Sequence, residues 1–190
     1  MKKLFFIVSI FFLSVTSSFA VFFVDAQGDY MSTTKYQPVT GFAAGIGFSL
    51  ADDVNFLFRC AMAENTEHAN LPEEIRYNYS AAAAGIEYIP PIGLLENYRL
   101  YWKNAVCVGV SEFEIKGNGS TTKDKTAGPG PIVSFQTGLQ YNFTQVLSPY
   151  FDLGYHKSIY ASTDPSIHGW QVAVGIRFYI AGSRDYDAGY

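Results

Sequence analysis

The chain has 190 residues, a length typical of one domain, and only 16% of them are charged. Phe, Tyr and Gly are frequent, with 16, 14 and 17 copies, a composition that favours pleated strands and tight turns over helices. Mean hydropathy is near neutral, at +0.06. No segment after residue 25 approaches the roughly 18 consecutive apolar residues of a membrane-spanning helix, which the sequence therefore excludes there.

Residues 1–20 have the pattern of a secretory signal peptide. Lys2 and Lys3 give the positive start, an apolar stretch follows over 4–15, and Ser18 and Ala20 are the small residues that signal peptidase reads. We expect cleavage after Ala20, with cleavage after Ala26 as the second choice. An uncleaved anchor is the alternative, but the apolar run is short for a span. Loss of two lysines lowers the 13 basic residues to 11, against 17 acidic ones, and the net charge of −6 disfavours nucleic acid as a partner.

Strict alternation of apolar residues with small or polar ones predicts most of the secondary structure. It is clearest over 169–180, where every even position is apolar and every odd position except Tyr179 is small or polar. A strand of this length exceeds the ordinary strand of a soluble sandwich, which has about 5–6 residues. The same alternation predicts strands over 21–31, 39–50, 54–64, 98–113, 132–143 and 149–160.

The remaining strand, over 75–89, has the weakest pattern. Its second half alternates like the others, but Tyr77 and Tyr79 lie on the opposite parity, and the alanines at 81–84 blur the register. We expect a β-bulge to reconcile the two halves. A short helix over the alanine run is the competing interpretation.

The connections between the predicted strands alternate in length. Short turns at one end and long loops at the other are typical of transmembrane β-barrels. The sequence therefore predicts an all-β protein: an eight-stranded antiparallel up-and-down transmembrane β-barrel over 21–180, followed by a short polar tail over 181–190. The short connections are 51–53, 90–97 and 144–148, and the long ones are 32–38, 65–74, 116–131 and 161–166.

Three features carry a family resemblance: the signal peptide, Gly45-Ile46-Gly47-Phe48, and the closing Gly169-Trp170-Gln171-Val172-Ala173-Val174-Gly175-Ile176-Arg177-Phe178. In these features the chain resembles the small outer-membrane β-barrels of the OmpX, OmpW and OmpA-transmembrane type. The resemblance implies a bacterial outer-membrane location, in contact with membrane lipid and lipopolysaccharide-type lipids. We expect a monomer without a cofactor and without a peptidoglycan-binding domain.

The polar face of the predicted strands carries charges of both signs. An eight-stranded barrel has an interior just wide enough for side chains to fill, and charges there need partners. We predict an ion-pair network that plugs the lumen, with a polar path for ions or small solutes as the alternative. Gly41, Gly45 and Gly47 are expected to leave room for large neighbours such as Arg59. The predicted lumenal residues are Asp25, Asp29, Arg59, Glu87, Arg99, Lys103, Asp152, His156 and Arg177.

His156 and Ser158 lie two apart on one face of a strand, as an acyl-transfer site would need. Lipid A deacylase barrels use a similar His-x-Ser pair, but Ile159 stands where their motif continues with Asn. Both side chains are also expected to face the lumen, away from lipid. We therefore expect no enzymatic activity and a lumenal His156 near Asp152.

The cysteines and tyrosines have structural interpretations. Cys60 and Cys107 are expected on different faces of non-adjacent strands, as two free thiols, and their spacing supports no metal site. Tyrosines of the strands are expected in the interfacial belts. These are Tyr77, Tyr79, Tyr141, Tyr150, Tyr155 and Tyr160.

The sequence favours a structural or surface-interaction, adhesin-like protein that uses its loops, above all 116–131. Host molecules or envelope components are the expected partners. The first alternative is a narrow channel or a carrier for small hydrophobic solutes, and the second is a lipid A-modifying acyl hydrolase. A soluble lipocalin-like barrel is disfavoured, because its exterior would carry many more Lys and Glu.

Overall fold

A computed structural model describes residues 21–33, 37–69, 74–117, 125–159 and 168–181. They form a closed barrel in which each strand is antiparallel to its neighbours and the last strand pairs with the first. The predicted fold is confirmed. The strands are β1 (Phe22–Met31), β2 (Val39–Ala51), β3 (Val54–Glu67), β4 (Ile75–Tyr88), β5 (Leu100–Gly117), β6 (Lys125–Tyr141), β7 (Leu147–Ser158) and β8 (His168–Ala181).

The barrel has two unlike rims. The short-turn rim holds the start of β1, the end of β8 and the three shorter connections, one of which contains the four-residue helix α1 (Gly93–Glu96). The long-loop rim holds the other four connections. None of the helices in the described ranges is long and apolar enough to cross a membrane. The predicted signal peptide at 1–20 and the tail beyond residue 181 lie outside the described residues.

The strands differ in length, because β5 and β6 have 18 and 17 residues while β1 has 10. In the described residues, β6 pairs with β7 only from Ile132 onward, and β2 reaches no further along β3 than Glu64. Four strands therefore continue beyond the closed wall as a sheet. We call it the β3–β6 extension, formed by residues 65–67, 75–77, 111–117 and 125–131. The predicted loop at 116–131 is thus partly strand.

The outside of the closed wall is apolar. Side chains that alternate outward are large, hydrophobic and exposed, including Phe42, Val174 and Trp170 at 63%, 63% and 68% exposure. Aromatic rings gather near both rims: Phe48 contacts Phe22 and Phe56 towards the short-turn rim, while Tyr155 and Trp170 meet at 5.5 Å towards the other. An apolar band flanked by aromatic girdles is the lipid-facing surface of a transmembrane barrel.

Strand β4 is regular, and the predicted bulge is wrong. Its pairing with β3 and with β5 continues without a register shift from Ile75 to Tyr88, which also excludes the helix. Tyr77 and Tyr79 point inward and are buried. Their inward position agrees with the alternation of the rest of β4. The lumen near the long-loop rim is apolar, so it accommodates aromatic side chains.

Candidate functional site

The lumen is filled by side chains in layers along the barrel axis. Near the short-turn rim lie Phe23, Leu57 and Tyr179, with the first two almost fully buried. A charged layer follows, and an apolar cluster, which we call the apolar cap, closes the lumen towards the long-loop rim. The cap contains Met31, Val39, Ala63, Tyr77, Tyr79, Phe113, Ile115, Ala127 and Ile132.

Arg177 lies at the centre of the charged layer and is fully buried. Its guanidinium donates to both carboxylate oxygens of Glu87, at 2.6 and 3.0 Å, and to Oδ2 of Asp25 at 3.2 Å. It also stacks 3.9 Å above the ring of Phe23. Two-point contact of a guanidinium with a carboxylate fixes the geometry of both groups, so Arg177 joins three strands into one rigid unit.

Two further cations complete the layer. Arg59 donates to Oδ2 of Asp25 at 3.1 Å, so this oxygen is shared by two guanidinium groups. Lys103 donates to Oδ2 of Asp152 at 2.7 Å, and its ammonium lies 3.5 Å from the centre of the Tyr150 ring. Every cation of the layer therefore has an acidic partner and a second contact, as buried charges require.

Asp29 is held differently from the other acids. Its Oδ1 accepts hydrogen bonds from the side-chain amides of Gln27 at 2.6 Å and Gln171 at 2.9 Å. The described residues contain no ion pair to this carboxyl group. The lumen therefore contains four acids but three Lys and Arg side chains among the described residues.

Arg99 corrects the predicted network, because it lies outside the lumen. The residue is exposed, has a φ of 58° and precedes β5 in the connection from β4. Its N–H donates to the carbonyl of Glu96, and its carbonyl accepts from the N–H of Asn142. The alternation of faces begins only with the strand at Leu100, so parity could not be extended to the residue before it.

Large lumenal side chains lie over glycines of the neighbouring strand. A Cβ added to Gly175 would collide with the ring of Tyr150, and one on Gly45 would collide with the carboxylate of Asp25. Gly45 thus makes room for Asp25 on β1, and its register partner on β3 is Arg59. Such cross-strand pairs include Phe23 with Gly47, Asp25 with Gly45, Tyr150 with Gly175 and Asp152 with Gly138.

His156 and Ser158 both point inward and are buried. The ring of His156 lies 6.2 Å from that of Tyr79, and the hydroxyl groups of Ser158 and Ser111 are 2.8 Å apart. This orientation does not present the pair to a membrane lipid. Across the described ranges, no group of three or more His, Cys, Asp or Glu could hold a metal ion.

The alternation of inward and outward positions along the strands also places the cysteines and the remaining tyrosines. Both thiols are free: Cys60 is exposed on the outer wall, and Cys107 is buried in the lumen. Tyr141 and Tyr155 point outward as predicted, whereas Tyr150 points inward with Tyr77 and Tyr79, so the belt prediction is wrong for these three. Tyr160 lies outside the described residues.

Comparison with known proteins identifies the fold through solved structures. No family model and no curated protein matches the sequence. Neisserial surface protein A matches with a TM-score of 0.59 and 14% identity, over 86% of this chain and 98% of that one. A major outer membrane protein from Thermus thermophilus matches with a TM-score of 0.57 and 11% identity, over 85% and 99%.

The chain has the fold of the small bacterial outer-membrane β-barrels. The attachment invasion locus protein Ail of Yersinia pestis, in complex with the heparin analogue sucrose octasulfate, also has it, with a TM-score of 0.50 and 14% identity over 84% of this chain and 97% of that one. In barrels of this kind the short turns face the periplasm and the long loops face outward. The apolar cap therefore lies at the outer end of the lumen, above the charged layer.

Proposed function

We propose that this outer-membrane barrel is a structural and surface-interaction protein that presents its long-loop rim, above all the β3–β6 extension, to molecules outside the cell. One observation carries the proposal: two successive layers of buried side chains close the lumen, whereas strands β3 to β6 extend further than their neighbours at the long-loop rim. A barrel built to conduct would have a water-filled lumen.

The charged layer is the first barrier. Arg177 reaches across the lumen to Glu87, and Lys103 spans from β5 to Asp152 on β7. Separating one partner of such a buried pair costs about 3–5 kcal/mol, so a passing ion would have to disrupt several contacts of this strength.

The apolar cap is the second barrier. Its central side chains, Phe113 and Val39, are 2% and 1% exposed. An ion in such surroundings loses hydration without gaining polar partners. A solute would have to cross both layers in turn, so the two barriers together disfavour a channel or carrier.

The β3–β6 extension offers a broad face for a partner. Charges of both signs lie on it, with Lys116 bound to Glu114 at 2.8 Å and Arg76 to Glu74. On β6 the edge contains Pro129 and Pro131, and proline on an edge discourages addition of a foreign strand. Side-chain contact through the face and the loops is therefore favoured over strand addition.

The partner is inferred from charge. The chain has 17 acidic and 13 basic residues, so a sulfated ligand of the kind in the Ail structure would meet a repulsive field. Neutral or basic protein surfaces suit the extension better. We therefore propose a protein partner at the cell exterior.

Two experiments test the proposal. In planar bilayers the purified full chain should give no discrete conductance, and reproducible unitary steps would overturn the sealed-lumen role.

In the second experiment, fluorescent proteoliposomes are applied to immobilised laminin, fibronectin and heparin. Saturable binding to one of the proteins is expected, reduced by Glu74→Gln with Glu114→Gln, which remove acidic charge at the extension, but not by Asp52→Asn, an exposed change at the short-turn rim. Retention equal to that of protein-free vesicles, or preference for heparin, would contradict the proposal.

A further inference from the structure

Lys103 and Asp152 meet inside the lumen although one strand lies between them. Lys103 on β5 and Asp152 on β7 are both register partners of Gly138 on β6, so the three residues form one cross-strand row. Strands two places apart in a sheet are about 10 Å apart, and the long lysine side chain covers most of that span. A Cβ added to Gly138 would collide with Oδ1 of Asp152. The glycine therefore leaves the space in which the two side chains meet.

The contact between the two charged groups is short and excludes water. Nζ of Lys103 lies 2.7 Å from Oδ2 of Asp152, and both residues are 2% exposed. The ring of Tyr150 covers the ammonium group, with its centre 3.5 Å from Nζ. A nitrogen that is hydrogen-bonded to one carboxylate oxygen lies about 3.5 Å from the carboxylate carbon, which is the separation of reacting atoms in a near-attack geometry. The amine is thus placed to react with the carboxyl group.

Asp152 is held by fewer hydrogen bonds than Glu87, the other acid near this lysine. Glu87 accepts two hydrogen bonds from Arg177 and one from Asn55. In the described part of the chain Asp152 accepts only from Lys103, and its Oδ1 has no hydrogen-bond partner. Transfer of the shared proton from the lysine to the carboxylate therefore disrupts no other contact of Asp152. It leaves a neutral acid beside a neutral amine, the combination from which an amide forms.

Glu87 is placed to move protons during such a reaction. Its Oε2 is 3.9 Å from Nζ of Lys103, and the residue is fully buried. A carboxylate in this position takes a proton from the attacking nitrogen and returns it to the departing oxygen, as general acid–base catalysis requires. Lysines that are desolvated beside other cations are the ones that act as nucleophiles in proteins. Arg59 and Arg177 are the other cations of this layer.

We propose that Lys103 and Asp152 form an intramolecular isopeptide bond once the barrel has folded, with Glu87 as the proton carrier. A proton of the ammonium group passes to Oδ2 of Asp152, and the free amine attacks the carboxyl carbon, forming the C–N bond. Glu87 takes a second proton from the nitrogen and delivers it to the hydroxyl oxygen. The C–O bond then breaks, and one water leaves. No oxidant or cofactor is needed, and the product ties β5 to β7 across β6.

The inference is independent of the proposed surface interaction, because all three side chains lie inside the lumen. An amide spans the same gap as the ion pair, so the lumen stays closed. Cross-links between distant positions restrict the unfolded chain, and they stabilise the folded state mainly in that way. Lys103 and Asp152 thereby acquire a second role, as a covalent reinforcement of the wall.

The experiment follows the covalent state of the chain during folding. The full chain is unfolded in urea, diluted into lipid vesicles, sampled over several days, and then unfolded again and digested with trypsin. Trypsin cuts after Lys and Arg but not after an amidated lysine. We expect one species that joins residues 100–116, uncut after Lys103, to residues 126–157 and is lighter by one water than the two peptides together. It should be absent from the sample kept in urea.

Three variants and one internal control make the test specific. Asp152→Asn should give the same linked species through loss of ammonia instead of water, whereas Lys103→Arg should give none. Glu87→Gln should slow the appearance of the link by about 100-fold or more, as loss of a general acid–base group does. Lys116 and Glu114 lie 2.8 Å apart but in contact with solvent, so no amide should form between them.

Folding of each sample is checked by the shift in gel mobility on heating. A folded original chain that yields only separate peptides, with cleavage after Lys103, would overturn the proposal. The same loss of water in Lys103→Arg would also overturn it, because the modification would then lie elsewhere. If Glu87→Gln does not fold, the time course of the original chain and the linked species of Asp152→Asn decide the matter.

Discussion

Arg177 and Glu87 join opposite walls of the barrel through two hydrogen bonds, of 2.6 and 3.0 Å. Their strands, β8 and β4, are separated by four steps in either direction around the closed sheet, so the pair crosses the full width of the lumen. Both side chains are fully buried. Removal of one partner leaves an unpaired charge at the centre of the protein, and the pair is therefore the most informative target in the network.

Replacement of Arg177 by Gln should lower the free energy of unfolding by about 3–5 kcal/mol, because the carboxylates of Glu87 and Asp25 lose their shared cation. The measurement is a urea titration in vesicles followed by tryptophan fluorescence. Arg99→Gln is the matched control, since the sequence placed both arginines in the lumen and the structure leaves Arg99 exposed. That variant should change stability by less than about 0.5 kcal/mol. Equal effects of the two changes would contradict the lumenal assignment.

Replacement of Gly175 by Ala should destabilise the barrel by about 1–3 kcal/mol, because the added methyl group meets the ring of Tyr150. The control is Gly28→Ala on the outer wall, where the nearest atom to a new Cβ lies 4.0 Å away. The same urea titration compares them. Combining Gly175→Ala with Tyr150→Leu should cost less than the sum of the two single changes, since the smaller side chain removes the collision with the ring, although the close approach to the carbonyl oxygen of Ala26 stays. Strict additivity would argue against direct contact.

The two thiols should differ in accessibility. In the folded protein N-ethylmaleimide, which enters an apolar phase, is expected to modify Cys60 on the lipid-facing wall and to leave Cys107 unmodified, because Cys107 is buried in the lumen. Intact-mass measurement should therefore show one added group, none in Cys60→Ser, and two after unfolding of the original chain. Modification of both thiols in the folded state would mean that the lumen is open to the reagent.

His156→Ala should leave the acylation of lipid A unchanged. The side chain of His156 is 2% exposed and faces the lumen beside Tyr79. Lipid A would be extracted from cells that express the full chain, the variant or neither, and compared by mass spectrometry. The three samples should be identical. An acyl chain that is lost only when the original protein is expressed would restore the hydrolase hypothesis.

Much of the fold could be predicted because a strand reveals its two faces locally. Alternation placed Asp25 and Arg177 inside and Phe42 and Val174 outside without any knowledge of their neighbours. It failed at Arg99, where the strand had not yet begun and the alternating geometry did not apply.

The contents of the lumen were less accessible to sequence reasoning. Tyr77 and Tyr79 looked misplaced because an apolar cap arises only where the inward faces of several distant strands meet. The match between Tyr150 and Gly175 depends on the register between β7 and β8, which is set by the closure of the whole sheet.

Because the strands differ in length, the sides of this barrel that face different directions in the membrane plane are not equivalent. The extension rises above β3 to β6 only, so the outer rim is oblique, with a high side and a low side. Neighbouring molecules that approach along the bilayer meet the extended strands on the β3–β6 side and shorter strands on the β1, β2 and β7 side. Rotation about the membrane normal therefore changes what the protein offers to its surroundings, as it would not for a symmetrical cylinder.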